Sequence, residues 1–182
     1  MYSRKVFIVL LLVFGTCFLC DAQKEPMTTT FTPQDTIRLV EVLGTDKLEI
    51  RKVDSVTTLQ IMAGHVKLKQ GNSWFYCDSC VKNERTGIFE AFGNVHINDN
   101  DTTDVYSDYL LYNGNTKIAN LKRNVKLTDG KGVLTTNDLD YDMSTKIGTY
   151  VNGGKVVNGK TVVTSKEGVY YSLPRPRHQP GH

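Results

Sequence analysis

The sequence repeats itself with a period of about thirty residues, and this feature limits the folds open to the chain more than any other. Aspartates fall at positions 78, 108 and 138, a constant step of thirty. A related segment accompanies them in three clear copies: Gly64–Leu68, Gly93–Ile97 and Arg123–Leu127. Partial copies lie near residues 46–48, 144–156 and 165–171. Such a period predicts stacked supersecondary units, each of which buries its apolar face only against its neighbours.

Each unit is predicted to contain two antiparallel strands, because apolar residues alternate with polar ones and turn signals separate the runs. The turn signals are Asn98–Asp101, Asn113–Asn115, Asp129–Gly132, Asn152–Gly154 and Asn158–Gly159. In the first strands the apolar column comprises Val66, Leu68, Phe89, Ala91, Val95, Ile97, Leu121, Val125 and Leu127. In the second strands it comprises Val105, Tyr109, Leu111, Leu139, Tyr141, Val169 and Tyr171, which puts Leu110 on the outer face. No amphipathic helix is predicted after the N-terminal segment.

The first 22 residues read as a cleavable signal peptide. Arg4 and Lys5 precede an apolar stretch at residues 6–19, and Cys20–Ala22 fits a small-x-small cleavage site. Export to the periplasm is therefore expected, with a retained membrane anchor as the alternative. The predicted organisation is a signal peptide (1–22), a lead-in segment (23–45), the β-domain (46–171) and a Pro-rich basic tail (172–182).

The charge of the chain argues against a nucleic-acid partner. The formal net charge is +3, and two of the positive charges belong to the signal peptide. Binding to nucleic acid depends largely on Lys and Arg contacts with phosphates, and the mature chain lacks such an excess.

Cys77 and Cys80 are the two cysteines that remain after cleavage. A thioredoxin-like redox site needs the C-x-x-C pair at a helix N-terminus, whereas this pair lies in a strand-like run. Residues three apart in a regular strand point to opposite faces, at about 10 Å between Cα atoms. Two buried or half-buried thiols are therefore expected, bonded only if a bulge or turn intervenes.

No catalytic or metal-binding constellation is recognised in the sequence, and neither an enzyme activity nor a cofactor is expected. The acidic cluster Asp99, Asp101 and Asp104 lacks the central glycine of a calcium loop. His65 and His96 occupy equivalent strands but have no third ligand. The repeated aspartates recur once per unit, which indicates a structural hydrogen bond rather than catalysis.

Three segments carry a resemblance to a known family: Phe89–Ile97, Tyr106–Leu110 and Leu134–Asp142. They resemble the OstA-like (LptA-type) lipopolysaccharide transport domain, most closely the OstA-like proteins of Bacteroidetes-type bacteria. The resemblance covers about residues 46–171. It implies an all-β, repeat-built, twisted antiparallel β-jellyroll that is open at its ends.

The resemblance also implies a function. The jellyroll groove shields the acyl chains of lipid A, so the apolar columns become candidate lipid-binding residues, and the protein carries lipopolysaccharide towards the outer membrane. Expected partners are lipopolysaccharide, transport proteins of the inner and outer membranes, and further copies stacked head to tail. The alternatives are a structural β-stack scaffold of the envelope, and a thiol oxidoreductase using Cys77 and Cys80.

Overall fold

The computed structural model describes residues 39–172, and its regular secondary structure is antiparallel β-strand throughout. The strands are β1 (Glu41–Gly44), β2 (Lys47–Lys52), β3 (Thr58–Gln70), β4 (Ser73–Asn83), β5 (Ile88–Asp99), β6 (Thr103–Asn113), β7 (Ile118–Thr128), β8 (Gly132–Asp142), β9 (Ile147–Tyr150), β10 (Gly154–Asn158), β11 (Thr161–Ser165) and β12 (Gly168–Tyr171). The described range contains no helix with the length and hydrophobicity needed to span a bilayer. The predicted signal peptide and, beyond Ser172, the predicted tail lie outside the described residues.

The repeat corresponds to three long hairpins: β3–β4, β5–β6 and β7–β8. Consecutive strands pair along one sheet in the order β1-β3-β4-β5-β6-β7-β8-β10-β11, while β2 pairs with β3, and β9 pairs with β8 and β12. The sheet does not close on itself within the described residues. It begins at Glu41, inside the segment 23–45 that was assigned to a lead-in.

Each long strand bends near its middle. The register of every long pair shifts there, for example between Phe92 and Val95 where β5 faces β6. The bends of β3, β5 and β7 hold residues of positive φ, including Gly93 (73°) and Asn124 (53°). Gly and Asn tolerate this left-handed conformation better than other residues. An irregularity of this kind bends a strand and alters which residues face inward.

The bends divide the strands into two layers. Layer A contains the strand halves next to the turns at residues 84–87, 114–117 and 143–146, together with β2, β9 and β12. Layer B contains the halves next to the turns at residues 71–72, 100–102 and 129–131, together with β1, β10 and β11. Because both halves of a strand belong to one chain segment, the layers are covalently continuous along the line of bends.

The layers pack face to face on one apolar core. Phe75 in layer B contacts Phe89 and Tyr112 in layer A, with ring centroids 5.3 and 4.7 Å apart. The core is one cluster of buried residues that runs from Val40 to Tyr150. The predicted fold, an all-β, repeat-built antiparallel jellyroll with open ends, is confirmed.

Candidate functional site

The interior between the layers is lined by most of the residues that the sequence pattern placed there. Twelve of them are at most 2% exposed: Val66, Leu68, Phe89, Ala91, Val95, Ile97, Val105, Leu121, Val125, Leu127, Leu139 and Tyr141. In β5 and β7 the inward residues on the two sides of the bend are four apart, as in Ala91 and Val95. Because this spacing is an even number of residues, strict alternation correctly predicts the inward-facing residues on both sides of the bend.

The assignment of Tyr109, Leu111, Val169 and Tyr171 to the inner face is wrong. In β6 the inward residues are Ser107 and then Leu110, a spacing of three across the bend, so the alternation changes phase. Leu110 was placed on the outer face and is in fact fully buried, at 0% exposed.

The misassigned residues of β6 and β12 face the outer surface. The Tyr109 hydroxyl donates to Glu90 Oε2 at 2.9 Å on the outer surface. In β12, Tyr170 packs against the core, and its neighbours Val169 and Tyr171 are 53% and 65% exposed.

Several interior residues were not anticipated, and an aromatic cluster is the largest group. Tyr112 lies on the inner face two residues after Leu110, where it contacts Phe75 and Phe89. The other unanticipated core residues are Val40, Met62, Phe75, Leu134, Met143 and Tyr150. Aromatic residues shortly after Asp108 and Asp138 were visible in the sequence, but the phase change at the bend of β6 was not.

Cys77 and Cys80 are both buried, on the same face of β4, because the bend of β4 lies between them. This bend is the intervening bulge that a disulfide between the two residues would require, and both cysteines are nevertheless free. The pKa of the Cys80 thiol is raised, mainly by its hydrogen bond with the Cys77 side chain and secondly by burial. A thiol nucleophile needs a lowered pKa and access to solvent, so this environment is opposite to that of a redox catalyst.

The repeated aspartates form side-chain hydrogen bonds at the bends. Asp78, Asp108 and Asp138 accept hydrogen bonds from the side-chain amides of Asn94, Asn124 and Asn152, at 2.8, 2.7 and 3.0 Å. The expected structural role of these carboxylates is thus confirmed. In the first unit the same link joins His65 Nδ1 to Asp46 Oδ2 at 2.8 Å. Within residues 39–172, no three His, Cys, Asp or Glu side chains converge as a metal site requires.

The edges of the two layers that lie opposite the bends meet along a line of side-chain contacts, which we name the seam. Three tyrosine contacts cross the seam: Tyr112 with Gln70, Tyr141 with Asp99, and Tyr170 with Asp129. Gln70 also donates to the Gly114 carbonyl at 2.8 Å, and Lys146 pairs with Asp99. In each of the three tyrosine contacts a tyrosine from layer A meets an amide or carboxylate at the tip of a layer B strand. The two partners come from different repeat units, since the first two contacts join residues 42 apart.

Asp99 is the most heavily bonded member of the seam. Its side chain is 0% exposed and accepts hydrogen bonds from Ser73 (2.8 Å), Asn100 (2.9 Å) and Tyr141 (3.0 Å), and it is paired with the ammonium of Lys146. Buried carboxylates are stable only when paired and hydrogen-bonded in this way.

The electrostatics of the seam favour neutral tyrosines. The pKa values of Tyr112 and Tyr141 are raised above the ordinary value of 10, mainly by burial and secondly by the nearby negative charge of Asp99. Burial, followed by the charge of Asp129 and a hydrogen bond to it, raises the pKa of Tyr170 to about 12. The hydroxyls therefore stay protonated and remain hydrogen-bond donors across the neutral pH range.

A cavity of about 190 Å³ lies beside the seam. Layer B contributes Asn72 and Asp99 to its wall, and layer A contributes Tyr112 and Lys117. The seam is therefore less tightly filled than the apolar core beside it.

Apolar side chains are exposed mainly at the two ends of the stack. At the first end they are Leu39, Leu43, Leu48, Ile50, Val53 and Val56. At the last end they are Val151, Val162, Val163, Val169 and Tyr171. The terminal strands thus combine incompletely paired edges with apolar side chains, a combination typical of surfaces that join another chain.

The comparison with known families adds an independent finding. The sequence model of the family described as OstA-like protein matches residues 38–177, most of the chain. The chain belongs to the OstA-like protein family. The matched range contains every strand of this OstA-like protein.

Other comparisons are more distant. No functionally curated protein sequence matched the chain. Among solved structures, this OstA-like protein is similar to LptH from Pseudomonas aeruginosa, described as the LptA homologous periplasmic component of a conserved lipopolysaccharide transport device. The identity is 16%, the match covers 58% of this chain and 77% of LptH, and the TM-score is 0.49.

Proposed function

We propose that this chain is a periplasmic lipopolysaccharide-binding protein that holds the acyl chains of lipid A between its two layers and helps to carry lipopolysaccharide to the outer membrane. The observation that carries the proposal is the single apolar core, which runs through all the stacked units of a protein of the OstA-like family. An ordinary sandwich core would explain the same burial, so the lipid-binding interpretation is supported by membership of the family and not by burial alone.

The dimensions of the interior suit acyl chains. Six long strands, spaced about 4.8 Å apart, give the interior a length of roughly 24 Å. The acyl layer of one membrane leaflet is about 15 Å deep, half of the hydrocarbon core of a bilayer. Each methylene transferred from water to such an interior contributes roughly 0.8 kcal/mol, so a few chains supply ample binding energy.

The exposed ends support the proposed partners. Strand edges at β2 and β11, flanked by exposed Ile50 and Val163, offer backbone pairing and apolar contact together. We propose that the ends join further copies head to tail, or the transport proteins of the two membranes. In this arrangement the apolar interiors of successive copies form one continuous path for lipid.

A scaffold of stacked β-domains without lipid transfer is the second candidate, and the same exposed ends favour it. The two candidates differ in one respect that can be measured. A carrier contacts lipid inside the layers, whereas a scaffold contacts only protein and only at its ends.

Site-specific photocrosslinking on β5 separates them. A photoreactive phenylalanine derivative replaces Phe89, which is 1% exposed and faces inward, or Phe92, which is 37% exposed and faces outward. The two positions carry the same residue type on the same strand, so Phe92 is a matched control. We expect lipopolysaccharide to attach at position 89 and not at position 92. Attachment at neither position, with crosslinks to neighbouring copies from residues of the end strands, would favour the scaffold.

A further inference from the structure

The interior is enclosed on both long sides in the described conformation. The bends close one side through continuous backbone, and the seam closes the other through contacts between side chains. The inner residues between these sides are almost entirely buried, and rings from the two layers lie in contact. A close-packed interior has no room for an acyl chain until the layers part.

Parting the layers at the bends is far less favourable than parting them at the seam. The six long strands each cross the line of bends as covalent backbone, and the Asp–Asn pairs fasten it further. The seam contacts are side-chain hydrogen bonds and one ion pair, all of them non-covalent, and water can replace each of them when the layers part. The cavity beside Asp99 and Tyr112 gives water a place to enter there.

While the seam is closed, entry through an open end is also unfavourable for an amphipathic lipid. A headgroup that moved along the core would have to pass buried apolar side chains such as Phe75 and Leu121 without hydrogen-bond partners. Sideways entry leaves the headgroup in water while the acyl chains pass between the strand tips.

We infer that the seam is a lateral gate: acyl chains enter and leave the interior by parting the Tyr112–Gln70, Tyr141–Asp99 and Tyr170–Asp129 contacts, while the bends act as the hinge. The inference rests on the proposed function. The Asp99 contact is the strongest point of the gate because it also holds Lys146. The Gln70 contact involves neutral groups only and opens first.

The gate is tested by a chemical lock applied to the folded protein. Two cysteines are introduced on opposite sides of the cavity at the seam, by Asn72→Cys in layer B and Lys117→Cys in layer A. A short bifunctional thiol reagent then crosslinks them. The matched control joins two turns of layer A without crossing the seam. Thr86→Cys and Asn115→Cys serve for this, since the Asn115 amide donates to the Thr86 carbonyl at 2.9 Å. The native cysteines are buried and are not expected to react.

The readout is the rate at which lipopolysaccharide is captured by a photoreactive residue at Phe89. We expect the seam lock to abolish capture and the control lock to leave it unchanged. Capture by the seam-locked protein at the unmodified rate would overturn the gate while leaving the proposed function intact. Absence of capture by the unlocked protein would overturn both.

A second set of variants tests the gate in the opposite direction. Tyr112→Phe combined with Tyr141→Phe keeps the ring packing but removes two hydrogen bonds across the seam. We expect capture to become about tenfold faster, since each lost bond favours the open state. Tyr109→Phe, which removes a hydroxyl from the outer face, is the control and leaves the rate unchanged. An unchanged rate in the double variant of the seam would contradict the inference.

Discussion

The phase change in β6 makes a prediction that two adjacent leucines can test. Leu110 is fully buried and pairs across the sheet with Ala91 and Leu121, whereas Leu111 faces outward between Glu90 and Asn120. Strict alternation from Val105 would reverse the two positions. Replacing each leucine by alanine removes the same atoms, so any difference in stability reports the face on which the side chain lies.

The size of the effect follows from burial. Leu110→Ala removes a fully buried side chain and leaves a cavity, which lowers the free energy of unfolding by about 3 kcal/mol. Leu111→Ala affects a partly exposed side chain and is expected to lower it by less than about 1 kcal/mol. With a urea dependence of about 2 kcal/mol/M, the first variant shifts the unfolding midpoint by roughly 1.5 M and the second by less than roughly 0.5 M.

Urea denaturation followed by circular dichroism measures both shifts under identical conditions. The midpoints are comparable if the free energy of unfolding has the same slope against urea concentration in the two variants. A larger shift for Leu111→Ala than for Leu110→Ala would refute the described bend of β6, and with it the assignment of Tyr112 to the interior.

Two further predictions concern the bends. Gly93→Ala should destabilise the protein more than Gly153→Ala. Both glycines have positive φ, but the new methyl group at position 93 would clash with the Asp78 carboxylate, whereas the one at position 153 meets nothing within 4 Å. Thermal unfolding ranks the two, with about 1 kcal/mol expected from backbone strain alone, and equal losses would contradict the clash. The pKa of His65 is raised above 6.5 by its hydrogen bond to Asp46 and then by the charge of that carboxylate. The His65–Asp46 contact therefore stabilises the folded state fully at pH values below the unfolded-state pKa of His65. This stabilisation is lost as the pH rises through the raised pKa of the folded state. NMR titration should find a lower pKa for His65 in Asp46→Asn, and an unchanged pKa would rule out the link.

The class of fold and the inner face of the first strands could be predicted from the sequence alone. The thirty-residue period required stacked units, and alternation in β5 and β7 identified Phe89, Val95 and Leu127 correctly, because their bends preserve an even spacing. The five predicted turns followed from Asn, Asp and Gly, whose backbone preferences are local, whereas the turns at residues 71–72, 84–87 and 143–146 were not predicted.

The inner face beyond the bend of β6 and the composition of the seam depend on long-range contacts, and neither could be predicted from the sequence. The irregular register at the bend shifts the alternation by one position without any residue type that marks it, so Tyr109 and Leu110 exchanged faces. The seam joins residues such as Asp99 and Tyr141, 42 apart in sequence. These partners belong to different units, and they meet because two layers fold over one core, a long-range event that a local pattern does not encode.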